Sequence, residues 1–215
     1  MPRYDTIIFD LDGTLLDTLE DLAGAVNHAL AQMGMPGRTI VEVRQFVGNG
    51  VAKLIQRAVP AGTSPELTAQ ALAIFKDYYE LHKEDKTAPY AGINELLSVL
   101  HQRGYKLAVV SNKFDRAVKD LMPRDFPGLI HAAAGEDEDH GVPKKPDPTM
   151  VHRVMEELGA EKAVYVGDSE VDMETARNSG LPCISVTWGF RAREFLLEIG
   201  ATTFADAPAE ILELV

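Results

Sequence analysis

The sequence predicts an α/β fold, an open parallel sheet with helices on both faces, and three observations predict it. Short apolar runs recur with helical segments between them: TIIFD (6–10), KLAVVS (106–111), LIHAAA (129–134), AVYVGD (163–168) and PCISVT (182–187). Strands separated by helices imply parallel pairing. Three of these runs end on Asp10, Ser111 and Asp168, at the edge where open α/β sheets bind ligands. Finally, about 95 residues separate the first run from the second, where a single crossover helix needs far fewer, so something is inserted there.

Each element follows from its own residues. The first run is apolar from Ile7 to Phe9, as a strand buried on both faces should be, and then places Asp10 and Asp12 just before Gly13. Two like charges at that position either flank a solvated turn or receive a cation between them. The insertion opens with DTLEDLAGAVNHALAQMG, which carries Leu19, Leu22, Val26, Leu30 and Met33 at helical spacing, Thr18 and Asp21 spaced as a capping box, and Gly34 as a stop. VEVRQFVGNGVAKLIQRAVP and SPELTAQALAIFKDYYELHKE continue in the same style. They predict a helical subdomain of three or four helices. NELLSVLHQRG, after Pro89, is the crossover helix back to the sheet, and the chain end AREFLLEIGATTFADAPAEILELV reads as two short helices around a brief extended piece. The predicted division is 1–16 with 87–215 as the α/β core and 17–86 as a helical cap.

Composition narrows the function classes. A chain of 215 residues that is 46% hydrophobic and 25% charged is that of a globular protein able to bury a sizeable core. With 21 Lys and Arg against 33 Asp and Glu, the formal charge of −12 disfavours nucleic acid and anionic membranes as partners. A small anionic substrate stays open, because a metal ion and one lysine reverse the potential locally. The single cysteine, Cys183, fits a reducing compartment. No apolar run approaches a membrane span and the N-terminus has no signal-like stretch, so a cytoplasmic protein is expected.

Four features offer chemistry. Asp10, Asp12, Gly13 and Thr14 form D-x-D-G-T; the alternative is an acidic turn after a strand. Ser111 opens SNKFDR, either as a helix cap and turn former or as a hydroxyl that cradles an anion with the following backbone N–H groups. Lys144 and Lys145 lie in GVPKKPDP, a loop stiffened by proline and therefore good at holding a side chain in place. A lysine held against carboxylates is suited to neutralise a bound phosphate. In GDSEVDMETA, Asp168 ends a strand and Asp172 follows one helical turn later, so both can face the sheet edge; Ser169 and Asp172 are equally spaced as a capping box. The run EDED (136–139) reads as a solvated loop. Carboxylates gathered at one edge make a hard oxygen site that suits Mg²⁺. The histidines show no zinc spacing, and neither G-x-x-x-x-G-K-[ST] nor G-x-S-x-G occurs.

Taken in order, D-x-D-G-T at 10–14, Ser111, Lys145 in K-P-x-P and G-D-x-x-x-D at 167–172 resemble the motifs of the haloacid dehalogenase superfamily, and the likeness runs through nearly the whole chain. The helical insertion looks like that family's C1-type cap on a Rossmann-like core. FDLDGTLLDT, VGNG, VVSNK, KKPDP, VGDSEVDMETARNSG and VTWGFR are similar to the phosphoglycolate phosphatase group, with a departure at Phe114, where many relatives carry proline. The resemblance implies a Mg²⁺-dependent phosphatase for a small phosphorylated metabolite, 2-phosphoglycolate first. It makes Asp10 the nucleophile that becomes an aspartyl-phosphate and Asp12 the acid and base. Asp10, the Asp12 carbonyl and Asp168 would hold the metal, with Asp172 as ligand or water-holder. Ser111, the backbone of Asn112 and Lys145 would hold phosphate, with Lys145 preferred to Lys144. Gly48, Asn49 and Gly50 look like the cap loop that sets specificity, or are a plain turn between cap helices. Hinges are expected near 16–17 and 86–90. Asp12 favours phosphate esters over haloacids, because a halide leaving group needs no acid. The same core could act on pyrophosphate, on sugar or nucleotide phosphates, or as a phosphomutase. A receiver that takes up phosphate without turnover, or a binding protein, is the non-enzymatic alternative.

Overall fold

Why the apolar runs become strands is visible in the pairing. The computed structural model describes residues 3–215. The chain passes through β1 (Thr6–Phe9), β2 (Leu16–Asp17), the helices α1 (Leu19–Gln32), α2 (Ile40–Phe46), α3 (Val51–Ala58) and α4 (Pro65–His82), and β3 (Ala88–Pro89). It then alternates α5 (Ile93–Gln102), β4 (Lys106–Phe114), α6 (Asp115–Asp125), β5 (Ala132–Glu136), α7 (Thr149–Leu158), β6 (Ala163–Gly167), α8 (Glu170–Asn178), β7 (Cys183–Val186), α9 (Arg193–Glu198), β8 (Phe204–Ala205) and α10 (Ile211–Leu214).

The main sheet has the order β5-β4-β1-β6-β7-β8, and every pairing in it is parallel. Side chains alternate across it, as the two-residue period of a strand requires. Ile7, Phe9, Leu107, Val109, Val164 and Val166 face one side, packed with Leu96 and Leu100 of α5 and Leu121 of α6. Ile8, Ala108, Val110 and Tyr165 face the other, with Met150 and Val154 of α7 and Ala176 of α8. The predicted α/β class with a Rossmann-like parallel sheet is therefore the observed one. The switch in strand order falls at β1: the chain winds to β4 and β5 on one side, then crosses to β6 and β7 on the other. Open α/β sheets bind ligands beyond the carboxyl end of the strand where the order switches, here β1.

The chain divides into two compact units, one of residues up to Leu16 together with Pro89–Val215, the other Asp17–Ala88. It leaves the first through β2 and returns through β3, and these two short strands pair with each other. Within the helical unit, α1 and α4 are the main partners, with His28 stacked on Tyr78 at a centroid distance of 4.0 Å. No helix among the described residues is long and apolar enough to cross a membrane.

Three local expectations need correction. Thr18 and Asp21 do not form a capping box: the Thr18 side chain makes no cap hydrogen bond, and Asp17 Oδ1 accepts from the Leu19 N–H at 3.2 Å. The Asp21 carboxylate instead accepts from the N–H groups of Lys86 and Thr87, at 3.0 and 2.8 Å. Within the insertion VEVRQFVGNGVAKLIQ forms two helices, as the expectation of three or four allows, divided where Gly48 and Gly50 take φ of +118° and +81°. The strand expected at 129–134 lies at Ala132–Glu136, because its register is set by pairing with β4. Glu136, expected in a solvated run, is buried on that strand, with its carboxylate 3.6 Å from Lys144.

Candidate active site

The register of the three central strands carries the site. Phe9 lies level with Val109 and with Val166, so the residues that follow emerge side by side: Asp10 after β1, Ser111 near the end of β4, and Asp168 after β6. The Asp10 N–H donates to the Val166 carbonyl at 2.9 Å, which extends the ladder into the turn. Gly13 then turns the chain with φ +91°, and a Cβ there would lie 2.7 Å from Asp168 Oδ2 and from the Phe190 ring. Only glycine brings this loop against Asp168.

Three buried carboxylates converge at that edge: one oxygen each from Asp10, Asp168 and Asp172 lie within 4.8 Å of one another. Lys145 supplies a cation to this cluster. Its ammonium lies 2.7 Å from Asp10 Oδ1 and 2.8 Å from Asp172 Oδ1, and it donates to the Tyr165 hydroxyl at 3.2 Å. Asn112 fixes the lysine from behind, its side chain accepting from the Lys145 N–H at 2.6 Å and donating to the Lys145 carbonyl at 3.2 Å. Lys144 is turned to Glu136 and Glu138 instead. Lys144 to Asp147 form a turn, closed by the Asp147 N–H on the Lys144 carbonyl at 3.0 Å, and the Asn112 clamp on its second residue holds Lys145 in the cluster.

Asp172 does both things its spacing allows. Its Oδ2 accepts from Ser169 Oγ at 2.6 Å and from the N–H groups of Ser169 and Asp168 at 3.1 and 3.2 Å, capping α8. Its Oδ1 faces Lys145. Asp168 is held by the Phe190 N–H on Oδ2 at 2.6 Å and the Thr14 hydroxyl on Oδ1 at 3.4 Å. Ser111 is buried, and its Oγ accepts from the Lys113 N–H at 3.2 Å. Gly48, Asn49 and Gly50 lie in the helical unit, in the turn between α2 and α3.

Burial and like charge strain the ionisation of this cluster. Burial, and then the charge of Asp172, push Asp10 well above the ordinary carboxylate range, with the Lys145 ammonium acting against the rise. Asp168 is pushed up to about 7 by burial and then by Asp172, against the hydrogen bond from Phe190. Burial favours the neutral amine of Lys145, yet Asp10 and Asp172 outweigh it and hold the ammonium well above its usual value. Three carboxylates set against one ammonium lack positive charge, and oxygen ligands at this spacing fit a hard divalent cation.

Several residues of this edge are given no role by the motifs, although VTWGFR (186–191) and VVSNK (109–113) contain most of them. Trp188 Nε1 donates to the Thr14 carbonyl at 3.0 Å, and Arg191 pairs with Glu170 through two hydrogen bonds of 2.7 and 2.9 Å, so the loop after β7 is anchored at both ends. Gly189 lies within it, where a Cβ would meet Asp168 Cβ at 2.4 Å. Tyr165 reaches the cluster from inside β6, and Lys113 pairs with Asp12 at 3.0 Å. The stretch VTWGFR, a glycine and aromatic residues directly after a strand that ends on this edge, is the signal in the sequence; only Tyr165 lies outside the stretches quoted for the resemblance.

Known proteins agree with this geometry. The sequence matches the haloacid dehalogenase-like hydrolase family over residues 7–186. It is 35% identical to phosphoglycolate phosphatase of Vibrio cholerae serotype O1 over all of this chain and 98% of that one. It is 37% identical, with a TM-score of 0.94, to a crystal structure from Lactobacillus delbrueckii subsp. bulgaricus whose protein bears the provisional name of a phosphoglycolate phosphatase; the match covers 99% of this chain and 98% of that one. CbbY from Rhodobacter sphaeroides, solved in complex with phosphate, matches with a TM-score of 0.73 at 27% identity over 97% and 96% of the two chains. A mutant of that protein, solved in complex with xylulose-(1,5)bisphosphate, matches at 25% identity with a TM-score of 0.72 over 96% of each chain. By its sequence and its sheet, this chain belongs to the haloacid dehalogenase-like hydrolases and is a phosphoric monoester hydrolase.

Proposed function

We propose that the chain is a Mg²⁺-dependent phosphatase that transfers the phosphoryl group of a small monoester to Asp10 and then hydrolyses the aspartyl-phosphate, with 2-phosphoglycolate as its preferred substrate. The observation that carries this reading is the buried cluster of Asp10, Asp168 and Asp172 with the Lys145 ammonium against it. Phosphoryl transfer needs few covalent partners and much fixed charge, and this edge supplies both.

Asp10, at the carboxyl end of the central strand, is the nucleophile. Asp12 gives a proton to the departing alcohol oxygen and then takes one from the water that attacks the aspartyl-phosphate. The Ser111 hydroxyl, the Asn112 backbone and the Lys145 ammonium hold the phosphate oxygens. Asp10, the Asp12 carbonyl and Asp168 would hold Mg²⁺, with Asp172, its Oδ2 engaged in capping α8, as ligand or holder of a bound water. When bound, the metal would orient the phosphate and screen the repulsion between an anionic nucleophile and an anionic substrate. The helical unit is assigned as the cap, with Gly48, Asn49 and Gly50 as its specificity loop and the two connecting strands as hinges. A reducing, cytoplasmic setting is assigned on the lone cysteine.

The choice of 2-phosphoglycolate rests on the full-length relatives that bear that activity's name. A sugar bisphosphate is the second reading, favoured by the ligand of the CbbY mutant. Phosphate release from both compounds, pyrophosphate and a set of small monoesters, with Mg²⁺ or EDTA, tests the proposal. A margin of about 100-fold in kcat/KM for 2-phosphoglycolate supports the substrate. A faster sugar bisphosphate replaces it, and a stable phospho-protein without phosphate release points to a receiver.

A further inference from the structure

Lys113 has no role in the scheme above, yet its ammonium lies 3.0 Å from Asp12 Oδ1 and 3.2 Å from Oδ2. The side chains of this pair are only 10% and 19% exposed. Solvated surface pairs contribute little, because water screens them and both side chains lose freedom. Here one ammonium engages both oxygens of a carboxylate largely withdrawn from water, which sets the direction of the carboxylate as well as its place.

The backbone beneath Lys113 is held with equal care. Ser111 is level with Gly135 of β5 and Phe114 with Glu136, so the register shifts and Asn112 and Lys113 form a bulge. Bulges re-aim side chains and gather beside active sites. Gly135 lies so close that a Cβ there would meet the Lys113 carbonyl oxygen at 2.5 Å. The Lys113 N–H is fixed on Ser111 Oγ at 3.2 Å.

We propose that Lys113 is the positioning residue of Asp12, aiming the acid and base carboxylate at the oxygen of the departing group. The inference rests on the assignment of Asp12 given above. Lys145 cannot take this part, since its ammonium is engaged between Asp10 and Asp172. The loss of Lys113 then hurts a substrate in proportion to its leaving group's need for a proton. An alkoxide needs one. Acetate, leaving acetyl phosphate, does not.

The test compares kcat/KM, which reports only the steps through departure of the leaving group, for acetyl phosphate and the fastest alkyl monoester of the panel above, with saturating Mg²⁺. Lys113→Met is expected to lower the value about 30-fold for the alkyl ester and no more than about 3-fold for acetyl phosphate. Lys113→Arg should restore most of the loss, because a guanidinium also engages both oxygens. Asp12→Asn should show the same selectivity in larger measure. Thermal unfolding without substrate checks that each variant is folded, and Lys113→Gln replaces the methionine variant if that one is not. Equal losses on both substrates, or none on either, while Asp12→Asn remains selective, overturn the role of Lys113. An unselective Asp12→Asn overturns the acid and base assignment, and this inference with it.

Discussion

Each unit buries a carboxylate, and the surroundings differ. In the helical unit, Asp21 accepts its hydrogen bonds from neutral donors: the Lys86 N–H at 3.0 Å, the Thr87 N–H at 2.8 Å and the Thr87 hydroxyl at 2.8 Å. It ties the end of that unit to its beginning. In the core, Asp10, Asp168 and Asp172 meet one another and share a single ammonium. A buried charge saturated by fixed donors is structural, whereas buried like charges left short of compensation mark a place that receives a cation. Asp172 belongs to both kinds, with one oxygen capping α8 and the other in the cluster.

The largest expected effect lies at the cluster's centre. Asp10→Asn should lower phosphate release by about 10⁴-fold or more, as loss of a nucleophile does. Its thermal midpoint should not fall, since the change removes one of the like charges; a marked drop would place Asp10 with Asp21 as a structural carboxylate. Lys145→Met should lower kcat by about 10²- to 10³-fold, the scale of a lost charge-stabilising group. Lys144→Met, which breaks only its pairing with Glu136 and Glu138, should change kcat less than about 2-fold. Comparable losses in the two variants would erase the distinction drawn between these lysines.

Metal linkage gives a readout without turnover. Mg²⁺ at about 100 times its dissociation constant should add about 2.7 kcal/mol of stability by mass action, visible as a raised thermal midpoint. Asp168→Asn should abolish that rise, and Gly189→Ala should weaken it, because the added Cβ would press on Asp168. The smallest effect belongs to the helical unit. Asp21→Ala leaves the Lys86 and Thr87 N–H groups without their acceptor and should cost about 1–3 kcal/mol in denaturant unfolding, with the Mg²⁺ shift preserved. Loss of the Mg²⁺ shift in Asp21→Ala would break the comparison.

Apolar runs and breakers made the sheet and its helices legible, because strand and helix periods are local properties of the chain. The strands that lead to Asp10, Ser111 and Asp168 are legible at their places to within a few residues, and the insertion is visible from the distance between two of them alone. Partnership is a different matter, since it depends on residues far apart in sequence. Thr18 and Asp21 have the spacing of a capping box, but the Asp21 carboxylate is captured by N–H groups 65 and 66 residues away. Glu136 belongs to an acidic run and is nevertheless buried, because pairing with β4 draws it into the sheet. The two lysines of KKP are equivalent as letters; the Asn112 clamp turns Lys145, and not Lys144, to the carboxylates. Trp188, Gly189 and Phe190 come within reach of the motif loops only because β7 ends on the same edge. The sequence by itself determined the elements and the acids they carry, since these follow from residue type and period. Only the tertiary structure decided which acids share a cation, which cap a helix and which lysine faces them, because those choices depend on where parallel pairing and close backbone packing set the loops.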